Sequence, residues 1–245
     1  MRSIWRTVDA DLARNAAAIA AAVFVVGCSF GAIATAAGVP PWLSAVMSVL
    51  VFAGGSQFAA VAVIASGGSA LVAALVGILL NARHLPFGVA IGHVLGKRLA
   101  ARLVGSHLMI DESVAFALAE PDPRRSRVAY WTTGVALFVS WNVGVLLGAL
   151  AGDLIGDPEL LGLDAAFPAA LLALLLPALR TTSARVVAAT GAAIALAATP
   201  YVPQGVPVLL ALVALPAALL TSRPGAALGA EEGQRRPDAD EGQSR

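Results

Sequence analysis

The sequence predicts an all-α polytopic membrane protein with about six or seven transmembrane segments, at least one of them broken or re-entrant. Of its 245 residues, 58% are hydrophobic and only 13% are charged, whereas a soluble domain carries roughly 25% charged residues. The charges also leave long stretches empty, since no Asp, Glu, Lys or Arg lies between Arg14 and Arg83. A helix that crosses a bilayer needs about 20 apolar residues, so such stretches are long enough for several spans.

Seven apolar segments follow one another along the chain. Between the first two, Pro40 and Pro41 end one helix and start the next, because proline has no amide proton for a helix interior. We interpret the chain as a cytoplasmic amphipathic lead-in at 1–14, a transmembrane domain at 15–221 and a disordered, charged tail at 222–245. The apolar segments cover residues 16–37, 42–66, 69–92, 128–152, 165–179, 184–199 and 205–221.

The basic residues indicate how the segments are oriented, because Lys and Arg collect in cytoplasmic loops. All the basic clusters lie on one side if segment 42–66 enters the membrane and returns, with a break at 54–57. An extra half-span within 103–120 would give the same result, so both arrangements stay open. We expect both termini to lie in the cytoplasm. The basic clusters lie at 2–14, 97–102, 124–127, 180–185 and 223.

Glycines recur at every fourth position in three of the segments. Small residues at this spacing let helix backbones approach closely in lipid, where no hydrophobic force drives helices together. We therefore predict tight helix packing along these glycines, and we expect Asn142, beside Trp141, to hold two helices together as well. The glycine series are Gly27 and Gly31; Gly88, Gly92 and Gly96; and Gly144, Gly148, Gly152 and Gly156.

Charge and motifs argue against several functions. The net charge is only +1, and the arginines form short clusters rather than a stripe, so we expect lipid but no nucleic acid as a partner. No GxxxxGKS or GxxxxGKT motif is present, so we expect no ATP hydrolysis by this chain. No HExxH, CxxC or paired-acid spacing indicates a metal site, and we expect no cofactor.

A stretch of small and polar residues interrupts the second segment at Gly54, Gly55, Ser56 and Gln57. Adjacent glycines weaken a helix, and unwound backbone exposes amide and carbonyl groups that can bind a ligand. These residues are therefore candidates for a substrate site. The alternative is a helix kink in which Ser56 and Gln57 bond to a neighbouring helix.

Asn81, Arg83 and His84 lie in the second half of the third segment. A charged side chain is costly in lipid, and a guanidinium presents a fork of donors that matches a carboxylate. We expect Arg83 to bind a substrate carboxylate, with Asn81 beside it; a snorkelling arginine is the alternative. His84 can titrate and couple proton movement, or it can be a structural histidine bonded to a carbonyl.

Asp111 and Glu112 precede a short apolar run at 114–118. Either can pair with Arg83, bind a substrate ammonium group or take part in ion coupling. Asp111 can instead cap the helix that follows. The sequence does not separate these roles.

Three motifs in this order resemble the AzlC-type branched-chain amino acid permease family. They are FAGGSQF at 52–58, NARH at 81–84 and the acidic pair at 111–112, and the hydropathy profile is similar along the whole chain apart from both tails. The resemblance implies a transporter subunit that exports leucine, isoleucine, valine or analogues, with a small hydrophobic AzlD-type membrane subunit as partner. Ile110 stands where the family usually has threonine, so specificity differs here if that hydroxyl touches substrate.

Together, residue chemistry and resemblance predict a transporter of a zwitterionic amino acid rather than an enzyme. Arg83 would bind the carboxylate, helped by backbone at 54–57, and Asp111 or Glu112 would take the ammonium group. Apolar walls from the first span would hold the aliphatic side chain.

Three alternatives belong to other classes. The chain can export another small solute, or it can be a structural subunit whose partner performs the transport. The enzymatic alternative is a membrane-embedded hydrolase that uses Ser56 with His84 or His93.

Overall fold

The structure, a computed structural model, describes residues 10–155, 172, 176–203 and 206–216. The regular elements in these ranges are all helical, and no strand occurs among them, which confirms the predicted all-α class. They form two compact units, one built from the helices between Ala10 and Ile155 and the other from helices that follow Leu175.

The helices of the first unit differ greatly in length. α1 and α8 are each long and apolar enough to cross a membrane, and α4 with α5 forms a third candidate span that bends by 49°. The described residues thus hold two candidate spans, or three with the bent pair, against the six or seven predicted. Breaks in the predicted segments leave helices shorter than the roughly 20 residues that a bilayer requires. The helices are α1 (Ala10–Ala36), α2 (Pro41–Val51), α3 (Gly54–Ala65), α4 (Ala70–Asn81), α5 (His84–Leu95), α6 (Leu99–His107), α7 (Asp111–Leu118) and α8 (Pro123–Ile155).

α1 and α8 pack together along much of their lengths, and glycines line their contact. A Cβ atom added to Gly27 would lie 2.9 Å from the carbonyl oxygen of Trp141, closer than packed atoms approach. Cβ atoms added to Gly31, Gly144 or Gly148 would also clash with the backbone of the facing helix. The predicted packing role is therefore confirmed for these glycines.

Within the described residues, the glycine series of the third segment does not bring two helix backbones together. No described atom lies within 4 Å of a Cβ added to Gly92, and a Cβ on Gly88 meets only the end of the Met109 side chain at 3.8 Å. Gly96 instead ends α5, with a φ of +84° that side chains rarely adopt. Among the described residues, the packing prediction was therefore wrong for Gly88 and Gly92, because spacing alone does not tell which helix face meets a neighbour. Gly156 lies outside the described residues.

The second segment is broken just before the position that the sequence predicts. α3 begins at Gly54, so 54–57 form the first turn of a helix rather than an unwound stretch. The chain turns instead at Phe52, which is left-handed with φ 35° and ψ 55°, and at Ala53, whose φ is −148°. The glycine pair allows close approach, since a Cβ on Gly54 would lie 3.0 Å from the Trp141 ring.

The third segment is divided at the residues that the sequence singles out. α4 and α5 meet at the 49° bend, which falls at 82–83. Ser69 is the N-cap of α4 and accepts a hydrogen bond from the Val72 N–H at 3.3 Å. Pro86 lies in the first turn of α5, where a missing N–H is tolerated, so it favours a new helix start here.

Two short helices, α6 and α7, occupy the polar middle of the chain. The Tyr130 hydroxyl of α8 donates to the Gly105 carbonyl at 2.6 Å, and the Ser126 hydroxyl donates to the Ala117 carbonyl at 2.7 Å. These bonds tie both short helices to α8. The second segment is thus divided into α2 and α3, and the polar middle contains α6 and α7.

In the second unit, a 3₁₀ helix at Leu176–Arg180 precedes α9 (Thr182–Ala198). Along the chain follow α10 (Val206–Leu210) and a 3₁₀ helix at Ala211–Ala214, which packs on α9. The segment predicted at 184–199 is therefore confirmed as a helix. The predictions for most of 165–179, for the end of 205–221 and for the tail at 222–245 fall outside the described residues, as do residues 1–9 of the lead-in.

Candidate functional site

α3 begins at the break with an uncapped N-terminus. Ala53 precedes the helix and has no side-chain acceptor, and the first backbone hydrogen bond runs from the Gln57 N–H to the Ala53 carbonyl at 3.0 Å. The N–H groups of Gly54, Gly55 and Ser56 have no acceptor in the described part of the chain. Because the helix dipole makes this end partly positive, the turn can bind an anionic group.

The guanidinium of Arg83 lies beside this turn. A Cβ added to Gly55 would be 3.6 Å from Arg83 Nη2, so the glycine lets the side chain approach the helix. Arg83 Nη1 lies 3.1 Å from Asp111 Oδ2, in an ion pair whose side chains are 44% and 48% exposed. The pairing that the sequence left open is therefore present, and both charged groups remain accessible.

The N-termini of α3, α5 and α7 meet at Arg83. Arg83 is the residue before α5, its Nη2 lies near Gly55 in the first turn of α3, and Asp111 is the first residue of α7. Each N-terminus adds partial positive charge to that of the guanidinium. Asp111 is thus the counter-ion of a region that otherwise attracts anions.

The acidic pair of α7 has divided roles. The Ser113 hydroxyl accepts a hydrogen bond from the Ile110 N–H at 3.0 Å, so Ser113 rather than Asp111 supplies the capping interaction. The Asp111 carboxylate faces Arg83 instead. Glu112 is half-buried and has no hydrogen bond or ion pair to another described residue, so the structure does not bring it to Arg83.

Ser56 links the start of α3 to the end of α4. Its hydroxyl oxygen lies 2.8 Å from the Ala53 carbonyl oxygen and 2.9 Å from Asn81 Oδ1. A hydroxyl has one proton, so Ser56 donates to one of these acceptors at a time. The other acceptor is left for a second donor, such as an ammonium group.

Gln57 and His84 carry buried polar atoms without partners. Gln57 is 1% exposed, and neither its Oε1 nor its Nε2 bonds to a described residue. His84 Nδ1 lies 3.0 Å from the Asn81 carbonyl oxygen, whereas its Nε2 is buried and unbonded. An unpaired buried polar atom costs about 1–3 kcal/mol, so a ligand that bonds to these atoms would be stabilised here.

The serine and histidines of the hydrolase alternative do not meet. Ser56 is engaged with Ala53 and Asn81 as described, and His84 bonds the Asn81 backbone. His93 is exposed on α5. No serine–histidine hydrogen bond is present in the described ranges, although a nucleophile and its base require one.

Trp141 is a neighbour of this site that the sequence analysis missed. The packing role predicted for Asn142 is confirmed, because its Oδ1 accepts a hydrogen bond from the Ser48 hydroxyl of α2 at 2.8 Å. Trp141 instead lies against Gly54, and its indole N–H is buried without an acceptor in the described part of the chain. No spacing in the sequence relates residue 141 to residue 54, so only the fold reveals this contact.

Comparison with known proteins places these residues in a family. The AzlC protein family matches residues 18–155, a range that contains the entire candidate site. The chain is 32% identical over 161 residues to the inner membrane protein YgaZ of Escherichia coli (strain K12), a match that covers 63% of this chain and 62% of YgaZ. The chain therefore spans less than two thirds of the length of this curated relative. No solved structure gives a significant match.

Proposed function

Since the chain belongs to the AzlC protein family, we propose that it is a secondary transporter subunit that exports branched-chain amino acids across a bacterial cytoplasmic membrane. The observation that carries the proposal is the 3.1 Å ion pair of Arg83 and Asp111 beside the uncapped start of α3. The candidate spans and the similarity to an inner membrane protein support the location. The positive-inside rule supports cytoplasmic termini.

The substrate carboxylate binds between Arg83 and the first turn of α3. The guanidinium supplies paired donors, and the N–H groups of Gly55 and Ser56 supply more. Because the ion pair is nearly half exposed, water screens it and Asp111 holds Arg83 only weakly. A substrate carboxylate can therefore displace Asp111.

The displaced Asp111 then receives the substrate ammonium group. A further acceptor is available at the Ala53 carbonyl or at Asn81 Oδ1, whichever the Ser56 hydroxyl leaves free. One internal ion pair is thus replaced by two pairs with the substrate. This exchange favours a solute that carries both charges, as every α-amino acid does.

The breaks next to the site support movement during transport. The interruption at 52–53 and the bend at 82–83 lie on either side of the binding residues and separate rigid helix pieces. Broken helices around a binding site are typical of secondary transporters. We assign proton coupling to His84, whose unbonded Nε2 can accept a proton; Glu112, half-buried and without a partner, is the alternative.

We propose a small AzlD-type membrane subunit as the partner, following the family resemblance. α4 and α5 present apolar side chains outward, with Leu71, Leu85 and Val89 exposed to 70%, 74% and 87%. Lipid or a hydrophobic subunit can cover this surface.

The proposal is tested by efflux of radiolabelled leucine, isoleucine and valine from preloaded vesicles that carry the chain with and without the partner. Arg83→Ala is the test variant, and Arg102→Ala, which removes an exposed arginine of α6, is the matched control. We expect saturable efflux that Arg83→Ala abolishes and Arg102→Ala leaves unchanged.

Two results would count against the proposal. If none of these amino acids moves even with the partner present, the substrate class is wrong and export of another small solute takes its place. If efflux survives in folded Arg83→Ala, transport stands but the binding site does not.

A further inference from the structure

Trp141 is held by aromatic neighbours in the middle of α8. Its ring stacks on Phe30 with centroids 5.6 Å apart and an interplanar angle of 28°, and Phe58 meets it edge-on at 6.4 Å. The residue is 5% exposed. The indole is therefore held by α1 and α3 in one position and cannot swing aside without repacking this aromatic group.

The six-membered ring of Trp141 covers the first turn of α3. Its Cη2, Cζ3 and Cζ2 atoms lie 3.0–3.5 Å from the place where a Cβ on Gly54 would be. Gln57 follows one helical turn later, on the same side of α3 as Gly54. The indole thus borders the turn whose N–H groups face the candidate carboxylate site.

Two buried polar groups near the first turn of α3 are unsatisfied. The Trp141 Nε1–H and the Gln57 amide are buried and have no partner among the described residues. A buried tryptophan usually finds an acceptor for its N–H, and leaving such a donor unpaired destabilises the protein. Asn142, the next residue on α8, has both amide atoms bonded, to Ser48 and Phe138.

We propose that Trp141 contacts the substrate and determines which side chains the transporter accepts. Its ring forms the wall against which an apolar side chain packs, and its N–H donates to an oxygen of the bound solute. This inference rests on the proposed function, because it requires an amino acid at the first turn of α3. Since Phe30 and Phe58 hold the ring in place, the wall sets an upper limit on side-chain size.

The first test compares tryptophan substitutions at two positions of α8. Trp141→Phe removes the N–H and keeps an aromatic ring; Trp131→Phe makes the same change beside Gly105, about 15 Å away along the helix. Loss of one hydrogen bond should raise the KM for leucine efflux about 3- to 10-fold in Trp141→Phe. Trp131→Phe should stay within about twofold of wild type, as expected for a change away from the site.

Trp141→Leu tests whether the Trp141 ring limits the size of the substrate side chain. A smaller side chain opens space, so the ratio of kcat/KM for phenylalanine to that for leucine should rise about tenfold, the effect of a changed apolar contact. An unchanged ratio in folded Trp141→Leu, together with an unchanged KM in Trp141→Phe, overturns the inference while leaving leucine export by the wild type intact. Loss of export by the wild type would instead remove the proposed function.

A binding measurement decides the question even if these variants do not fold. In a chain that carries Trp5→Phe, Trp42→Phe and Trp131→Phe, Trp141 is the sole tryptophan left of the four in the sequence. Its emission should shift saturably on titration with leucine. If this chain exports leucine and the emission of Trp141 does not respond, Trp141 does not contact the substrate.

Discussion

The guanidinium of Arg83 lies 3.1 Å from the carboxylate of Asp111 and joins the bend between α4 and α5 to the first turn of α7. The pair stands next to the start of α3, whose N–H groups are unbonded within the described residues. A zwitterion can therefore bind here with its carboxylate at Arg83, in place of Asp111, and its ammonium group at Asp111, in place of Arg83. In our proposal, the transporter binds its substrate by this replacement of the internal ion pair.

Asp111→Asn should impair leucine transport without unfolding the protein. The ion pair is nearly half exposed, so its loss should cost about 1 kcal/mol of stability or less. The KM for leucine efflux should rise about tenfold, because a charged hydrogen bond to the substrate ammonium is lost. Initial efflux rates and thermal unfolding of the purified protein measure the two effects.

Glu112→Gln is the matched control for this prediction, because Glu112 has no partner within the described ranges. Its KM should stay within about twofold of wild type. If Glu112→Gln raises the KM and Asp111→Asn leaves it unchanged, Glu112 rather than Asp111 binds the substrate ammonium group.

Gln57→Leu should stabilise the protein and weaken transport. The substitution removes two buried polar atoms that have no described partner, which should raise the free energy of unfolding by about 1 kcal/mol. Leucine efflux should fall, because those atoms then cannot bind the substrate. Thermal unfolding and efflux are measured on the same preparation.

Asn142→Leu is the matched comparison for Gln57→Leu, because it removes an amide whose atoms are bonded. Both amide atoms of Asn142 are bonded, at 2.8 Å to Ser48 and at 2.8 Å to the Phe138 carbonyl. Its replacement should lower stability by about 1–3 kcal/mol, because the Ser48 hydroxyl loses its acceptor. Equal destabilisation by the two substitutions would mean that Gln57 is bonded in the folded protein.

Gly55→Ala should leave the fold intact and reduce transport about tenfold or more, because it displaces the carboxylate. The added methyl group would lie 3.6 Å from Arg83 Nη2, an ordinary contact, yet it would occupy the space between the guanidinium and α3. Gly88→Ala, whose methyl meets only the Met109 side chain at 3.8 Å, should transport normally. The two variants are compared by efflux rates normalised to the amount of folded protein. Equal rates would mean that the substrate carboxylate does not bind between Arg83 and α3.

Gly148→Ala and Gly92→Ala should change stability in opposite directions. A Cβ on Gly148 collides with the backbone of Cys28 in α1, so this variant should lose about 1–3 kcal/mol or more. Gly92 has no described atom within 4 Å of its Cβ position, so alanine there should add up to about 1 kcal/mol through helix propensity. Thermal unfolding of the two variants measures the difference, and equal shifts would contradict the glycine contact between α1 and α8.

The sequence predicts the helical class and offers Asp111 and Glu112 as possible partners of Arg83, because both follow from local rules; only the structure selects Asp111. Long uncharged stretches require helices in a membrane, and an arginine in such a stretch needs an acidic partner. It also locates the break in the second segment to within a few residues, through the glycine pair at 54–55. The turn itself falls at Phe52, which is left-handed without being glycine.

Other features depend on contacts between distant parts of the chain. The same four-residue spacing lines a helix contact at Gly27 and Gly31 but not at Gly88 and Gly92. The position of Trp141 over Gly54 has no counterpart in the local sequence either. Both follow from how α8 packs on α1 and α3, which periodicity does not determine.

Comparing leucine with its deaminated and decarboxylated analogues shows whether Arg83 and Asp111 exchange their ion pair for a zwitterion. Each labelled compound is loaded into vesicles that carry the wild-type chain and its partner, and efflux rates are measured. We expect saturable efflux of leucine alone, because each analogue leaves one member of the ion pair without a partner. Efflux of either analogue at the rate of leucine would mean that this exchange does not drive binding.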